Sequence, residues 1–338
     1  MKVLFIGGTG VISTACADLA IRREMDVYLL NRGQSFRPTP EGAHELHADI
    51  HDNQSVQTAI SGHRFDAVVD WIAFKPADIE RDLSLFRGIT NQFVFISSAS
   101  AYQTPPAALP IRESTPLDNP YWDYSRNKIA CEELLIKEYR QNHFPFTIIR
   151  PSHTYDHTLV PLEGGFTALD RILRGKPLIV HGDGTSIWVL THHTDFAKGL
   201  VGLLGNFKAI GEVYHITSDE LLTWNQIVQC LADAAGVSPN IVHVPSELIA
   251  AYNPRTGASL LGDKAHSVIF DNSKIKQVVP DFNALVPFSQ GAKEIVEWYR
   301  AHPERQTIND EFNRLCDRLL ENFQKAWPSP ADFNQQSA

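Results

Sequence analysis

The sequence predicts an α/β protein built on a doubly wound parallel sheet, followed by a smaller C-terminal α/β lobe. Apolar runs with strand character alternate with helical segments, and the early strands are apolar on both faces, as parallel strands between two helical layers are. The 338 residues suffice for a large core and a second lobe. We expect a sheet domain at residues 1–165, which also receives later strands, a lobe at 166–300, a terminal helix at 301–327 and a disordered tail at 328–338.

The first element is a strand, a glycine turn and a helix. Residues 3–6 form a short apolar run, the glycines after it allow positive φ, and a helix is expected over residues 11–23. The first N–H groups of such a helix, together with its dipole, attract a phosphate. The stretch therefore predicts a Rossmann-type dinucleotide site. Its spacing, Gly-x-x-Gly-x-x-Ser, ends in Ser13 where the common pattern has glycine, and the small serine still permits close helix packing.

The second strand, at residues 26–30, ends in Asn31-Arg32-Gly33. In a dinucleotide fold an acidic residue here holds the ribose 2′-hydroxyl, whereas an arginine accommodates a 2′-phosphate. Because Asn31 replaces the acid and Arg32 follows it, the cofactor is expected to be NAD or NADP, with NADP favoured. The alternative is that these residues form only a turn.

The remaining strands of the sheet follow in order. Asp49-Ile50 comes at the end of the third strand, where an adenine would stack, and Pro76 stands in the first turn of a helix. Strands are expected at residues 45–48, 66–72, 92–96 and 146–150, and a helix at 76–86.

Candidate catalytic groups follow the fifth strand and open the next helix. Tyr124 and Lys128 are four residues apart, one turn apart on one face of a helix, a spacing that is also common on purely structural helices. An ammonium beside a phenol favours the phenolate and lowers its pKa, so Tyr124 is a candidate acid/base for a substrate hydroxyl. Ser98 is placed to hydrogen-bond the same oxygen. The hydroxyl-rich run is Ser97-Ser98-Ala99-Ser100-Ala101-Tyr102.

These motifs resemble the extended short-chain dehydrogenase/reductase superfamily and, within it, the NAD-dependent epimerase/dehydratase family. The resemblance covers about residues 2–300. It rests on these sequences: Gly7-Gly8-Thr9-Gly10, Asp49-Ile50, Ser97-Ser98 with Tyr102, Tyr124 with Lys128, Ile149-Arg150-Pro151 and Gly182-Asp183-Gly184.

The resemblance implies that Tyr124 is the catalytic acid/base, that Ser98 is its partner, and that Lys128 serves catalysis and also holds the nicotinamide ribose. No metal is expected. Substrate contacts are expected from Ser98, Ser100, His153 and Trp188. Cofactor contacts, including the second-strand pair, are expected from Gly7, Thr9, Gly10, Val11, Ile12, Asn31, Arg32, Asp49, Ile50, Ile72, Ala73, Lys75, Ser97, Tyr124, Lys128, Pro151 and Ser152.

One departure from the family pattern bears on the reaction. Members of the resembled family that eliminate water from a hexose carry Thr-Asp-Glu at the positions of Ser98, Ala99 and Ser100, because elimination needs an acid/base pair. Ala99 and Ser100 offer no such pair, which disfavours a 4,6-dehydratase. The expected function is an epimerase of a nucleotide sugar or sugar that works through a transient ketone. The alternative is a dehydrogenase or reductase of a non-nucleotide sugar or small carbonyl compound.

A second departure bears on the substrate. In the nucleotide-sugar epimerases that this chain resembles, the stretch after the Gly-Asp-Gly turn carries an arginine that binds the substrate pyrophosphate. Counting back from Asp195, this chain has Trp188 at that position. Arg255 or Lys264 could replace it, and residues 179–181 could line a base pocket. The indole of Trp188 either stacks on a sugar ring or packs inside the protein.

The second half supplies the smaller lobe. Thr223 is a predicted N-cap and Pro245 opens a further helix. A terminal helix at residues 308–327 has an apolar face of Ile308, Phe312, Leu315, Leu319, Phe323 and Trp327. Other elements are expected as helices at 166–174, 194–204 and 288–300, strands near Leu178 and Val189, and a strand at 213–217.

Composition limits the partners. A formal net charge of −9 disfavours nucleic acid and anionic membranes, which favour basic faces. The scattered cysteines favour neither a zinc site nor a disulfide framework. We expect a cytoplasmic homodimer, since the resemblance implies an interface through the helices at 76–86 and 124–141. A rival is an RNA-binding protein, because residues 31–33 and 181–195 also resemble chloroplast stem-loop RNA-binding proteins of this fold.

Overall fold

A computed structural model describes residues 1–326; Trp327 and the predicted tail at 328–338 lie outside the described residues. The chain forms two compact units. The first comprises Met1–Asp156, Val189–Leu221 and Val268–Phe288, and the second comprises His157–Trp188, Leu222–Ser267 and the described residues from Ser289 onward. Within residues 1–326, no helix combines the length and apolar character needed to cross a bilayer.

The first unit is organised around a seven-stranded sheet in which every pairing is parallel, and the predicted doubly wound α/β class is thereby confirmed. The strands of this unit are β1 (Lys2–Ile6), β2 (Asp26–Asn31), β3 (His44–His47), β4 (Ala67–Asp70), β5 (Phe93–Ile96), β6 (Phe146–Pro151), β7 (His153–Tyr155), β10 (Leu190–His192) and β11 (Glu212–Ile216). The spatial order in the sheet is β11, β6, β5, β4, β1, β2, β3, and a short parallel pair joins β7 and β10.

Helices cover both faces of this sheet, which explains why its strands are apolar throughout. Along β1, Val3 and Phe5 pack with one helical layer, whereas Leu4 and Ile6 pack with the other, as the two-residue period of a strand requires. The helices of the unit are α1 (Ser13–Arg22), α2 (Asn53–Ala59), α3 (Pro76–Phe86), α4 (Asp123–Asn142), α6 (His193–Leu203) and α10 (Ser273–Val278).

The second unit is a small α/β assembly. A parallel pair joins its strands 8 and 13, and an antiparallel pair joins strands 9 and 12. The strands are β8 (Pro177–His181), β9 (Ile187–Trp188), β12 (Leu222–Thr223) and β13 (Asn240–Val244). The helices are α5 (Phe166–Leu173), α7 (Trp224–Ala235), α8 (Ser246–Tyr252), α9 (Pro254–Ser259), α11 (Phe288–Ala301, whose first residue belongs to the first unit) and α12 (Asp310–Lys325).

Several predicted boundaries are confirmed, and others move for local reasons. Thr223 caps α7 by accepting from the N–H of Gln226, as predicted. Helix α1 begins at Ser13 rather than Val11, and the Ser13 hydroxyl accepts from the N–H of Gly10 at 2.7 Å. Strand β4 ends at Asp70, two residues before the predicted end. The hydrophobic and capping patterns of the sequence did not lead us to predict α2, α10 or β13.

Candidate active site

The glycine turn after β1 has the backbone that a dinucleotide phosphate needs. Gly7 and Gly8 have φ of +107° and +87°, a region in which side chains are strained. A Cβ on Gly8 would lie 2.7 Å from Cδ2 of Leu29. Only glycine fits here, and the bare backbone leads into the N-terminus of α1. These features fit a pyrophosphate held by N–H groups and the helix dipole.

Ser13 changes one detail of that turn. Its hydroxyl is buried, and by accepting from Gly10 it uses one backbone donor at the start of α1. The Thr14 hydroxyl in turn donates to the carbonyl of Gly10 at 2.9 Å. Ser13 therefore gives the turn a side-chain hydrogen bond that a glycine at this position could not make.

The residues predicted for the adenosine end lie at the ends of β2 and β3. Asn31 accepts from the N–H of Gly33 at 2.7 Å, so its side chain closes the turn that follows β2. The guanidinium of Arg32 lies 3.9 Å from the carboxylate of Asp49, and both side chains are largely exposed. An exposed pair of this kind is weak, so Arg32 can leave it for a ligand phosphate. Ile50 is buried beside them.

Ser98 belongs to a chain of three hydroxyl groups. Its Oγ lies 2.9 Å from Oγ of Ser100, which accepts from the hydroxyl of Ser125 at 2.8 Å. Ser100 and Ser125 are buried, whereas Ser98 is half-buried at the end of the chain. Because Ser125 directly follows Tyr124, the chain connects the loop after β5 to the first turn of α4. Ser100, a predicted substrate contact, is thus hydrogen-bonded to both Ser98 and Ser125, and its contact with a substrate stays a prediction.

Lys128 is held at the carboxyl ends of β4 and β5. Its Nζ donates to the carbonyls of Ala73 and Ile96, each at 2.7 Å, and lies 5.7 Å from the centre of the Tyr124 ring. Burial lowers the pKa of Lys128 to about 8, and the charge of Asp70 works in the opposite direction. An ammonium has three N–H groups, so two carbonyls fix its position and leave a third donor.

Two aromatic rings, which the sequence motifs do not indicate, lie near Tyr124. The centre of its ring lies 4.8 Å from that of Trp122 and 6.2 Å from that of Phe74. Phe74 is 49% exposed, and Lys128 Nζ lies 4.6 Å from its ring centre. Its place directly before Lys75, a predicted cofactor contact, was the available signal. The two rings therefore give the Tyr124 ring apolar, tilted aromatic neighbours.

A buried ion pair, which the sequence motifs also do not indicate, lies beside the loop after β5 that carries Ser98. Arg150, near the end of β6, binds Glu132 of α4 through two contacts, Nε to Oε1 at 3.0 Å and Nη2 to Oε2 at 2.5 Å. The hydroxyl of Ser97 donates to the same carboxylate at 2.5 Å. The pair thereby joins three elements next to Ser98. The two residues are eighteen positions apart in the sequence and belong to different elements, so no local pattern pairs them.

The other predicted residues are distributed over both units. Ser152 shares a hydrogen bond with Thr191 at 3.0 Å, and His153 pairs with Leu190 in the β7–β10 ladder of the first unit. Trp188, in the second unit, is 3% exposed, and the centre of its ring lies 5.3 Å from that of Trp224. This burial fits the packing alternative for the indole better than stacking on a sugar.

Comparisons with known proteins agree with this geometry. 2′-Dehydrokanamycin reductase of Streptomyces kanamyceticus is 24% identical over 286 residues, which cover 83% of this chain and 80% of that protein. The chloroplast stem-loop binding protein of 41 kDa b of Arabidopsis thaliana is 27% identical over 269 residues, 75% of this chain and 66%, just under two thirds, of that protein. dTDP-glucose 4,6-dehydratases also match.

The fold has close counterparts among solved structures. UDP-glucose 4-epimerase of Bifidobacterium longum, solved with NAD⁺ and UDP, superposes with a TM-score of 0.72 at 20% identity, covering 90% of this chain and 99% of that one. Residues 3–217 match the model of the NAD-dependent epimerase/dehydratase family, which is more than half of the chain. The protein therefore belongs to the NAD-dependent epimerase/dehydratase family of nicotinamide-dependent enzymes.

Proposed function

We propose that this protein oxidises or reduces a secondary hydroxyl carbon of a sugar-like substrate, with Tyr124 as the proton-transfer group. The observation that carries this proposal is the fixed ammonium of Lys128, held by the carbonyls of Ala73 and Ile96 beside the Tyr124 ring. A cation in this position favours the phenolate. The proposal extends the roles that the family resemblance implies to these residues.

The protein's own groups then divide the work. The nicotinamide, when bound, supplies hydride transfer to or from the substrate carbon. Tyr124 takes the proton of the hydroxyl on that carbon or returns it, and Ser98 donates a hydrogen bond to the same oxygen as negative charge develops. Ser100 and Ser125 orient Ser98 through their hydroxyls. Lys128 keeps the phenolate accessible near neutral pH.

Within this chemistry we propose a net reductase or dehydrogenase acting on a substrate without a nucleoside diphosphate. The arginine expected to anchor a pyrophosphate is replaced by Trp188, whose indole is buried against Trp224. The similarity to 2′-dehydrokanamycin reductase points the same way, since that relative is named for reducing a carbonyl compound. Dehydration is not proposed, because Ala99 and Ser100 cannot supply the acid/base pair that elimination needs.

Epimerisation through a transient ketone is the second candidate. It uses the same Ser98, Tyr124 and Lys128, and the matching family model is that of epimerases and dehydratases. The two reactions differ in cofactor balance, because an epimerase ends each turnover with the cofactor unchanged, whereas a reductase consumes it.

The deciding experiment supplies purified protein with reduced and oxidised NAD and NADP and with free keto sugars, free sugars and nucleotide sugars. Net oxidation of the reduced cofactor by a free keto sugar supports the reductase. Isomerised nucleotide sugar with no net cofactor change supports the epimerase instead. A preference for NADP is expected from Asn31 and Arg32, and Arg32→Ala should remove that preference without abolishing NAD binding.

The matched control is Tyr124→Phe, which removes only the phenol oxygen. Turnover is expected to fall by about 10²- to 10⁴-fold, the usual contribution of general acid–base catalysis, while the variant still binds the dinucleotide. If Tyr124→Phe keeps full activity, the assigned role of Tyr124 is wrong.

Nucleic-acid binding is a further candidate because of the Arabidopsis relative. The formal charge of −9 disfavours it, because binding to nucleic-acid phosphates by counterion release needs clustered lysine and arginine. Filter binding of a stem-loop RNA at low and high salt tests it. Salt-sensitive binding that survives Tyr124→Phe, together with no turnover on any sugar, would favour this candidate.

A further inference from the structure

A cluster of buried charges lies between β4 and α3, next to the turn whose Ala73 carbonyl holds Lys128. Asp70 and Asp82 are 0% exposed and Asp78 is 6% exposed. One guanidinium serves all three: Arg81 lies 2.7 Å from the carboxylate of Asp82, and 3.4 Å from those of Asp70 and Asp78. Because buried charges need partners, three carboxylates around one arginine are not balanced by that arginine alone.

The missing cation is Lys128, and a short chain of hydrogen bonds connects it to the cluster. Oδ1 of Asp70 accepts from the N–H of Ile72 at 2.6 Å and from that of Ala73 at 2.8 Å. The carbonyl of the same Ala73 accepts from Lys128 Nζ at 2.7 Å. Asp70 therefore ends β4, shapes the turn after it and places one of the two carbonyls that hold the lysine.

The charges balance only if one of the carboxyls keeps a proton. With Arg81 and Lys128 both positive, two carboxylates make the cluster neutral and a third would leave it negative. Among the described residues, no N–H or O–H group donates to the buried Oδ2 of Asp82, and burial and the adjacent charge of Asp70 both raise the pKa of this carboxyl. Asp78 is engaged elsewhere: its Oδ2 accepts from the N–H groups of Phe74 and Lys75 at 2.9 and 3.1 Å, at the start of α3.

We propose that Asp70 is the positioning residue of Lys128, supplying both the turn that holds its ammonium and the negative charge that balances it, whereas Asp82 stays protonated and supplies no charge. This assignment rests on the proposed function, in which Lys128 acts on Tyr124. It adds to that function a residue outside the motifs from which the function was inferred.

The other groups near Lys128 do not replace Asp70. On α4, the carboxylate of Glu132 is bound by Arg150, and burial raises the pKa of the Cys131 thiol to about 12, so this thiol is neutral. Tyr124 on the same helix is the group on which the lysine acts. The β5 side offers the carbonyl of Ile96 and the ring of Phe95, whose centre lies 4.8 Å from Nζ. Asp78 on α3 is committed to the helix start described above.

The test compares two isosteric substitutions, Asp70→Asn and Asp82→Asn, by the titration of Lys128. Protein labelled with ¹³C at the lysine side chains is titrated by NMR, and the Lys128 signal is assigned by its loss in Lys128→Arg. Asp70→Asn keeps an acceptor for the turn and removes the charge, so the midpoint of Lys128 should fall by about one pH unit or more. Asp82→Asn mimics the protonated acid and should leave the midpoint unchanged.

An unchanged midpoint in a folded Asp70→Asn, or an equal fall in both variants, would overturn the proposal. If Asp70→Asn does not fold, aspartate carboxyl carbons labelled with ¹³C decide the matter. One carboxyl should stay protonated at neutral pH in the unmodified protein and be missing in Asp82→Asn, and its persistence in that variant would place the proton on another residue. Neither readout needs turnover, so failure of the proposed function is seen separately, as absence of activity in the unmodified protein.

Discussion

The buried pair of Glu132 and Arg150 allows a quantitative prediction about stability. Their side chains are 0% and 4% exposed and make the two contacts given above, and the Ser97 hydroxyl completes the carboxylate's shell. Arg150→Met keeps most of the aliphatic volume and removes the guanidinium. The Glu132 carboxylate then stays in the interior with only one neutral donor.

Removing one partner of a buried ion pair typically costs about 3–5 kcal/mol, because the remaining charge is desolvated and uncompensated. Arg150 also stacks on Tyr102, with its guanidinium carbon 4.6 Å from the ring centre, so part of that loss is packing. In the double variant Arg150→Met with Glu132→Leu no charge remains. The double variant should therefore be more stable than Arg150→Met alone by about 2 kcal/mol, even though Ser97 loses an acceptor worth about 1 kcal/mol.

Equilibrium urea unfolding, followed by circular dichroism, measures these differences, and the two single variants with the double variant form a double-mutant cycle. A loss of less than about 1 kcal/mol in Arg150→Met would mean that the carboxylate finds solvent or a proton at little cost. Additive losses in the double variant would show that the two groups do not interact. Either result would refute the argument from buried charge.

Two more predictions follow from the turn and from Lys128. Gly8→Ala combines positive φ with a clash against Leu29, so it should weaken dinucleotide binding and lower the unfolding free energy by about 2–4 kcal/mol. The control Gly62→Ala, at φ +75° in open space, should lower the unfolding free energy by only about 1–2 kcal/mol and leave dinucleotide binding intact. Equal effects on binding would contradict the assigned cradle. Burial lowers the pKa of Lys128 from 10.5 to about 8, so between these pH values the unfolded chain binds more protons than the folded one. The unfolding free energy of the unmodified protein, relative to that of Lys128→Met, should therefore rise with pH from about 8 to 10.5. Chemical denaturation at a series of pH values measures this difference, and a relative stability that falls over this range would show that the pKa of Lys128 is not lowered by folding.

Local sequence determined a large part of this protein. The glycine turn after β1 follows from residues whose backbone conformations only glycine adopts readily, and strands apolar on both faces already require helical layers on both sides. The spacing of Tyr124 and Lys128 places them on one helix face whatever else the chain does. These features depend on neighbours within a few residues, so patterns in the sequence are enough to predict them.

Tertiary structure decided what surrounds those groups. The order of the strands places β4 and β5 side by side, so that Ala73 and Ile96, which are separated in sequence by α3, meet at one ammonium. Packing within the first unit buries Asp70 with Asp82, and packing within the second unit buries Trp188 with Trp224. A pKa, a charge balance or the exposure of an indole depends on groups that are distant in sequence, and these become neighbours only when the sheet and its helices assemble.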